Sequence, residues 1–520
     1  DINDIDKDGN RTEATCGNAQ AVSQGCTPAN VFGGPGALAP NRMFLEAPGL
    51  LNTKTTQKLA GANLSGNLFD LWGAGPTGLA LGVEYRKEFS DAQFDPLQAA
   101  GLNGGNALPR TVGSFDVVEG YAELAVPILR DVPFFHMLEA RGAVRVSDYS
   151  TVGTTYSWNY GLEWAPIPDI RFRAVKARAT RAPNIGELFA PPGQTFPPGL
   201  VDPCAGVTAT TAGTLGTQCR ADPGVALNIA QNGGTFTLNQ ADLQGISGFT
   251  SGNPGLGEEK GDSLTLGVVI NPKSIDFLRN FAFTVDYFDI EIQDAIVGTP
   301  RQFILEQCFE QGVQSFCNLI TRRPTQEGAN SAGSLDLINS SPTNSGGLKT
   351  TGFDVTASYR QNLENWGLVG NLNARVAWTH TIKAYQIPVP GEPKDRFNRE
   401  IGASRNKVFG TVSYEYEDWG ITLRGNYIGP AYLNDQFTGV YAGETDSDFY
   451  KIGSEFVLDT QIRFTPGDNY EFYIGADNLL DNPAPFLPGS LPGSTTGANT
   501  DAGTYDAIGR RFYAGARLKF

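Results

Sequence analysis

The C-terminal segment alternates between two kinds of side chain at successive positions. Its apolar face holds Phe512, Ala514, Ala516, Leu518 and Phe520, and its cations lie on the opposite face. A repeat of two residues is that of a β-strand. A strand with an apolar face that ends on an aromatic residue suits a wall between hydrocarbon and a wet lumen better than a soluble core. The segment therefore predicts one strand of a transmembrane antiparallel β-barrel.

The composition is that of an all-β chain. The 520 residues include 63 Gly, 31 Phe and 18 Tyr but only 2 Met and 2 His, which favours strands and turns over helices. No apolar run approaches the roughly 20 residues that a membrane helix needs, so a helical membrane protein is excluded. The formal net charge of -16 argues against a nucleic-acid partner, because no basic stripe is available to neutralise phosphates.

About fifteen segments alternate in this way, each long enough to cross a membrane as a tilted strand. In residues 455–465, for example, Leu458 and Ile462 share one face and Asp459 and Arg463 share the other. Charges at every second position would be costly in a sandwich core but are normal facing a polar lumen. The predicted strands lie near 55–71, 77–90, 115–127, 135–149, 154–166, 169–182, 262–271, 281–296, 349–361, 367–382, 407–417, 420–429, 455–465, 470–479 and 510–520.

The connections between these strands are alternately short and long. Long Gly- and Pro-rich segments lie near 183–261, 297–348, 383–406, 430–454 and 480–509. In bacterial barrels short turns face the periplasm and long loops face outside, so we expect a periplasmic C-terminus. Residues 1–54 then form an extracellular loop region, and residues 55–520 form the barrel. Because single-chain bacterial barrels have even strand numbers, about fifteen strands also predict an earlier part of the barrel outside this chain.

The six cysteines fall into three local pairs, each of which closes a short loop. The pairs are Cys16 with Cys26, Cys204 with Cys219, and Cys308 with Cys317. Such pairs are typical of disulfides in an oxidising compartment. The alternative is free or metal-bound thiols, although the spacings do not resemble zinc sites and His is nearly absent.

The N-terminus contains the first half of a calcium-loop pattern. Asp4, Asp6 and Asp8 stand at alternate positions and Gly9 follows them, so three carboxylates are able to converge on one hard cation. The twelfth loop position holds Thr15 instead of the usual Glu, so the pattern is incomplete. Calcium is the one candidate cofactor, and an acidic solvated loop is the alternative.

No residues of the chain form a catalytic pattern. His136 and His380 lie far apart, and neither GxSxG nor HExxH occurs. The sequence therefore predicts that the protein is not an enzyme. It does not point to particular ligand-binding residues.

Six blocks of sequence resemble TonB-dependent receptors, in the order in which that family carries them. They are RAPNIGELF (181–189), GNPGLGEEKGDS (252–263), VDYFDI (285–290), TGFDV (351–355), DNLLD (477–481) and GRRFY (509–513). The resemblance implies a barrel of about 22 strands around an N-terminal plug. About seven strands and the plug would then lie outside this chain. It also implies energy from the TonB–ExbB–ExbD complex, and an assembly signal that includes Phe512, Leu518 and Phe520.

The expected function is active transport across the outer membrane of a Gram-negative bacterium. Such a receptor, embedded in outer-membrane lipid, would bind a scarce nutrient outside the cell and import it to the periplasm. An iron–siderophore complex and an oligosaccharide are the candidate ligands. A passive porin without a plug and a cell-surface β-rich adhesin are the alternatives.

Overall fold

The structure is a computed structural model that describes residues 19–23, 26, 42, 46–47, 49–197, 199–244, 246–389, 394–434, 448–487 and 499–519. Its main feature is one sheet of fifteen strands, in which each strand pairs with the next one along the wall. The strands of this sheet, called the wall strands, are β1 (Leu51–Asp70), β2 (Pro76–Phe94), β3 (Thr111–Val132), β4 (Phe135–Tyr149), β5 (Gly153–Ile167), β6 (Ile170–Arg181), β9 (Glu259–Ile270), β10 (Phe281–Gly298), β13 (Pro342–Asn362), β14 (Asn371–Ile387), β15 (Asn406–Tyr416), β16 (Trp419–Ile428), β19 (Glu455–Phe464), β20 (Tyr470–Asp477) and β21 (Arg511–Leu518).

The connections carry short elements of their own. Three small two-stranded sheets pair β7 (Gly193–Thr195) with β8 (Gly248–Thr250), β11 (Ile320–Arg322) with β12 (Leu335–Ile338), and β17 (Ala431–Tyr432) with β18 (Lys451–Ile452). The α-helices are α1 (Ala19–Ser23), α2 (Pro96–Ala99), α3 (Ile185–Phe189), α4 (Gly213–Ala221), α5 (Pro223–Gln231), α6 (Arg301–Phe309) and α7 (Gln314–Cys317). Short 3-10 helices lie at Asp276–Leu278, Leu363–Trp366 and Asp448–Tyr450.

The fifteen wall strands agree in number and order with the predicted ones, but several are longer. The strand β1 begins at Leu51, β3 runs on to Val132, and β13 begins at Pro342. The extra residues continue the hydrogen-bonded ladder past the point where the apolar alternation stops, for example in the pairing of Leu51 with Phe94. Ladder pairing needs only backbone groups, so it extends beyond any side-chain pattern.

The two faces of the sheet differ in polarity. One face carries exposed large apolar side chains in register across neighbouring strands, such as Tyr85 opposite Val118 and Leu423 opposite Val412. Stacked aromatic rings, with Trp164 and Phe172 at a centroid distance of 5.4 Å, lie on the same face. Because a continuous apolar face in water would be costly, it is the face that contacts hydrocarbon. The chain thus has the wall of a transmembrane β-barrel, as the sequence predicted.

The opposite face is polar and carries ion pairs between strands. Arg173 Nη2 lies 2.6 Å from Asp286 Oδ2 across β9, and Arg145 Nη1 lies 3.0 Å from Glu119 Oε1. The intervening β9 residue is Gly267, where an added Cβ would lie 2.0 Å from an Asp286 carboxylate oxygen. A glycine at this position therefore lets the ion pair cross the strand. We call this polar face the lumen face.

The connections divide between two rims of the sheet. At one rim the turns are short, and Glu417 adopts a φ of 49° in the turn between β15 and β16. The other rim holds the long connections 182–258, 299–341, 388–405, 429–454 and 478–510, together with the connection 95–110 and one short turn between β4 and β5. We call these the short-turn rim and the long-loop rim. The sequence predicted the long connections as loops, and the helices inside them are an addition.

Candidate functional site

The two longest connections at the long-loop rim form a single packed unit, which we call the loop cap (residues 182–258 and 299–341). Its core contains Val225, Ile229 and Phe236 from the first segment and Ile304 and Leu305 from the second. Each of these side chains is nearly or completely buried. Burial of this apolar area, at about 25 cal/mol per Å², holds the two segments together.

Two disulfides cross-link this core. They join Cys204 to Cys219 and Cys308 to Cys317, which are two of the pairs predicted from spacing. Cys204, Cys219 and Cys308 belong to the buried cluster itself. Cys26 is also disulfide-bonded. Its predicted partner Cys16 lies outside the described residues, so that pairing stays a prediction.

A buried ion pair lies at the centre of the loop cap. The Arg322 guanidinium donates to both carboxylate oxygens of Asp202 at 2.6 Å, and the two side chains are 1% and 3% exposed. A third bond runs from Arg322 Nη1 to Gly333 O at 2.7 Å. The guanidinium carbon also lies 4.6 Å from the centre of the Phe309 ring. This bidentate geometry fixes the two cap segments relative to each other, since Asp202 and Arg322 come from different segments.

The cap is attached to the wall by the first block of the family resemblance. Arg181, at the end of β6, bonds Glu259 of β9 at 2.5 Å and Glu187 of α3 at 3.0 Å. Glu187 also completes a capping box with Asn184 at the start of α3. The α3 helix then packs on the lumen face of β3, because an added Cβ at Gly113 would lie 2.4 Å from the Phe189 ring. The block therefore positions the loop cap over the lumen.

The second block continues the same attachment. The backbone N–H groups of Gly252 and Asn253 donate to the carbonyls of Ala190 and Glu187 at 2.8 and 2.7 Å. The Asn344 side chain bonds both the N–H and the carbonyl of Gly257 at 2.7 and 3.0 Å. Residues 252–263 thus position the loops that they contact.

A cation that has no carboxylate partner among the residues described by the structure supports the base of the cap. Arg301, the first residue of α6, donates to Ile338 O at 2.8 Å, to Thr195 Oγ1 at 2.6 Å and to Thr250 Oγ1 at 3.0 Å. Burial lowers the pKa of its guanidinium. Neutral oxygens satisfy its donors, so this arginine joins β7, β8 and β12 into one support.

A second, smaller cluster covers the part of the rim near β16 and β19. Ile428, Leu433, Ile452, Leu487 and Tyr505 are all buried there. The block 477–481 starts the connection that leads to this cluster. Its Asn478 is fully buried, with a φ of 49°, and exchanges hydrogen bonds with Asn482 at 2.8 and 3.0 Å. This block too has a structural role.

Other residues singled out in the sequence lie apart from the cap. Phe512 and Leu518 lie on the apolar face of β21, and Phe520 lies outside the described residues, as do Asp4, Asp6 and Asp8. The calcium and assembly-signal hypotheses therefore stay predictions. His136 bonds Asp131 at 2.9 Å and His380 bonds Asn406 at 2.8 Å, far from each other on the wall. Sequence reasoning missed Asp202, Arg322 and Arg301, whose local sequence carries no motif.

No helix within the described ranges is both long and apolar enough to cross a membrane. In the same ranges, no group of three or more His, Cys, Asp or Glu residues is arranged to hold a metal ion.

Comparison with known proteins identifies the family to which the chain belongs. Residues 19–479 match the family model described as "TonB dependent receptor-like, beta-barrel". No curated protein gives a significant match. A mutant of the ferric enterobactin receptor of Pseudomonas aeruginosa superposes with a TM-score of 0.56 at 15% identity, over 90% of this chain and 54% of that one.

A second solved structure has a similar TM-score, identity and coverage. The siderophore receptor PirA of Acinetobacter baumannii gives a TM-score of 0.53 at 13% identity, over 90% of this chain and 55% of that chain. The chain thus spans about half the length of either receptor, and at such identities the likeness concerns the fold. The family model, by contrast, covers most of the sequence, and this chain therefore belongs to the TonB-dependent receptors, within their β-barrel.

Proposed function

We propose that this chain is part of an outer-membrane receptor that binds an iron–siderophore complex outside the cell and imports it to the periplasm with TonB-derived energy. The observation that carries the proposal is the loop cap. A folded and disulfide-stapled unit, attached through α3 to the lumen face, suits a gated receptor better than an open pore. The two similar structures are a ferric enterobactin receptor and a siderophore receptor, which favours iron chelates over oligosaccharides.

The proposal includes an orientation. The long-loop rim lies outside the cell, together with the region of residues 1–54, and the C-terminus lies in the periplasm. Long outer loops and short periplasmic turns are usual in bacterial barrels. The apolar face of the wall contacts outer-membrane lipid.

The proposed partners lie beyond the wall strands described above. A plug and about seven further strands would complete a barrel of about 22 strands. The plug would transmit energy from the TonB–ExbB–ExbD complex. Calcium at Asp4, Asp6 and Asp8 and an assembly signal around Phe520 remain part of the proposal.

The test is uptake of radiolabelled iron by iron-starved cells that carry the native protein as their one receptor. Ferric siderophores should enter at a rate that falls to background when TonB is deleted. An uptake rate that is the same with and without TonB would favour the passive porin. TonB-dependent entry of an oligosaccharide, with no entry of any iron chelate, would show that the substrate is an oligosaccharide. Cell adhesion without any uptake would favour the adhesin.

A matched pair of variants tests the loop cap in the same assay. Arg322→Met removes the buried ion pair with Asp202, whereas Arg323→Met removes neighbouring pairs with Asp336 and Glu327, which are 35% and 57% exposed. If the cap takes part in ligand capture, the first variant should lower uptake at limiting siderophore more than the second. Equal uptake by both variants, at equal surface levels, would contradict a role for the cap.

A further inference from the structure

The apolar face of the wall has a clear upper edge on β10, β13 and β14, on the side of the long-loop rim. The rings of Tyr287 on β10 and Phe353 on β13 lie 5.4 Å apart, and His380 on β14 lies opposite Phe353. The next residues on the same face, two positions nearer the long loops, are Asp289 and Thr351. Because aromatic residues mark the border between hydrocarbon and headgroups, the face above this edge lies at the level of the lipid headgroups.

Basic side chains begin directly above the edge. Lys383 on β14 lies opposite Thr351 of β13. Two residues further along β14, Tyr385 lies opposite Lys349. Because Thr351 and Phe353 are two residues apart on one strand, these side chains lie on the lipid side of the wall and not on the lumen face.

The connection that follows β14 adds two more cations. Its backbone pairs with β14 where Asp395 exchanges hydrogen bonds with Gln386. Lys394 Nζ lies 4.5 Å from the centre of the Tyr385 ring, so this ammonium group is also on the lipid side. Arg396 follows two residues later, which places it on the same side, and it is exposed. We call Lys349, Lys383, Lys394 and Arg396 the outer patch.

The outer patch has an excess of positive charge. Lys349 Nζ lies 3.1 Å from an Asp289 oxygen and 3.0 Å from a Glu291 oxygen, so those two carboxylates already have a cation. Neither Lys383 nor Arg396 forms an ion pair with any residue that the structure describes. A chain whose formal net charge is -16 therefore concentrates cations at one place on its lipid side.

The position of the patch in the wall limits what is able to neutralise it. The strands β13 and β14 lie between β10 and β15 in the sheet, so described wall strands flank the patch on both sides. A plug would fill the lumen, which is on the opposite face of the sheet. Anionic lipid headgroups, in contrast, lie directly against this part of the wall.

We propose that the outer patch binds the phosphate groups of an anionic glycolipid in the outer leaflet of the membrane. Ammonium and guanidinium groups form charge-assisted bonds with phosphate oxygens, and clusters of basic residues at a membrane surface bind anionic headgroups. The acyl chains of the same lipid would pack on the apolar face below Tyr287 and Phe353. The choice of leaflet rests on the proposed function, in which the long-loop rim faces outside.

Native mass spectrometry of the native protein, purified and delipidated in detergent, tests the patch. The probe is diphosphoryl lipid A, a glycolipid with two phosphates, and it should bind at least roughly tenfold more tightly than phosphatidylglycerol. The double variant Lys383→Gln with Arg396→Gln should weaken the binding of lipid A by at least roughly tenfold. The charge-conserving variant Lys383→Arg with Arg396→Lys should keep most of the native affinity.

The matched control is Lys260→Gln. Lys260 is a cation on the lipid side of β9, and its ammonium group already has Glu258 at 3.4 Å and Asp294 at 3.5 Å. Its replacement should leave the binding of lipid A unchanged.

Cross-linking in living cells provides a second measurement that needs no delipidated protein. The photoreactive residue p-benzoylphenylalanine in place of Tyr385 should cross-link to the glycolipid. The same residue in place of Phe409, which lies on the lumen face of β15, should not.

Several outcomes would overturn the proposal. They are equal affinity of the native protein for lipid A and phosphatidylglycerol, native affinity in the double Gln variant, and an equal loss in the Lys260→Gln control. Cross-links from position 385 to phospholipid or protein alone would overturn it as well.

Iron uptake separates this inference from the proposed function. At equal surface levels, the double Gln variant should import a ferric siderophore at the native rate, because the outer patch lies outside the lumen. If the purified protein binds lipid A as expected but cells import no iron chelate, the proposed function fails and the lipid site stands.

Discussion

Replacement of Arg322 by Met should open the loop cap locally while leaving the wall strands intact. Met has similar length and no charge, so the change removes two bonds to Asp202 and one to Gly333 without leaving a large cavity. Asp202 then stays as a buried carboxylate, 3% exposed, with Cys204 N as its remaining donor at 2.9 Å. The Phe309 ring also loses its cationic neighbour.

The free-energy cost of this substitution follows from the burial of both Arg322 and Asp202. Removal of one member of a buried pair costs about 3–5 kcal/mol, because the other charge is left uncompensated. At about 1.4 kcal/mol for each factor of ten, the opening equilibrium of the cap should rise roughly 100- to 4,000-fold. The disulfides limit how far the opened segments separate, so the change should stay confined to the cap.

Hydrogen exchange with mass spectrometry, on the protein in detergent, measures this change. Amides in α5 and α6 should exchange faster in Arg322→Met by the factor given, or reach the unprotected rate, while those of β13 and β14 keep native rates. The control Arg323→Met should change protection by about tenfold or less, since water solvates its partners Asp336 and Glu327, which are 35% and 57% exposed. Native protection of α5 and α6 in Arg322→Met would refute the reasoning.

Three further predictions concern other parts of the chain. Burial raises the pKa of Tyr505 to about 12, so stability should fall as the pH rises from 10.0 towards that value, and Tyr505→Phe should abolish this dependence in thermal melts. Because the buried hydroxyl has no hydrogen-bond partner in the described ranges, that variant should be at least as stable as the native protein, and a loss above about 2 kcal/mol would contradict the argument. Hydrogen bonds from Gln98 N and Leu50 N lower the pKa of Asp95 from its ordinary value, so the α2 amides should lose exchange protection when acid protonates this carboxylate, and Asp95→Asn should show no such pH dependence. Phe520→Asp should lower the surface level of the protein, and normal surface labelling would count against its role in assembly.

Much of the wall could be predicted from the sequence. The alternation of apolar and polar side chains, as in Leu458 and Asp459, depends only on the two-residue repeat of a strand. That repeat is a local property of the backbone. The cysteine pairs were predictable for a similar reason. Cys204 and Cys219 are 15 residues apart, and their loop forms one short unit. The helices α4 and α5 were not predicted, because Gly- and Pro-rich segments predict loops, and packing against α6 stabilises them in spite of weak propensity.

The sequence by itself thus determined the fold class, the number and order of the wall strands and the family. The tertiary structure decided which side chains meet. Asp202 and Arg322 are 120 residues apart and carry no motif, so only the packing of two connections makes them a buried pair. Likewise, strand register places Arg375 and Arg424 on either side of Thr411. A one-residue shift in register would move every side chain of a strand to the other face, and register depends on contacts distant in sequence.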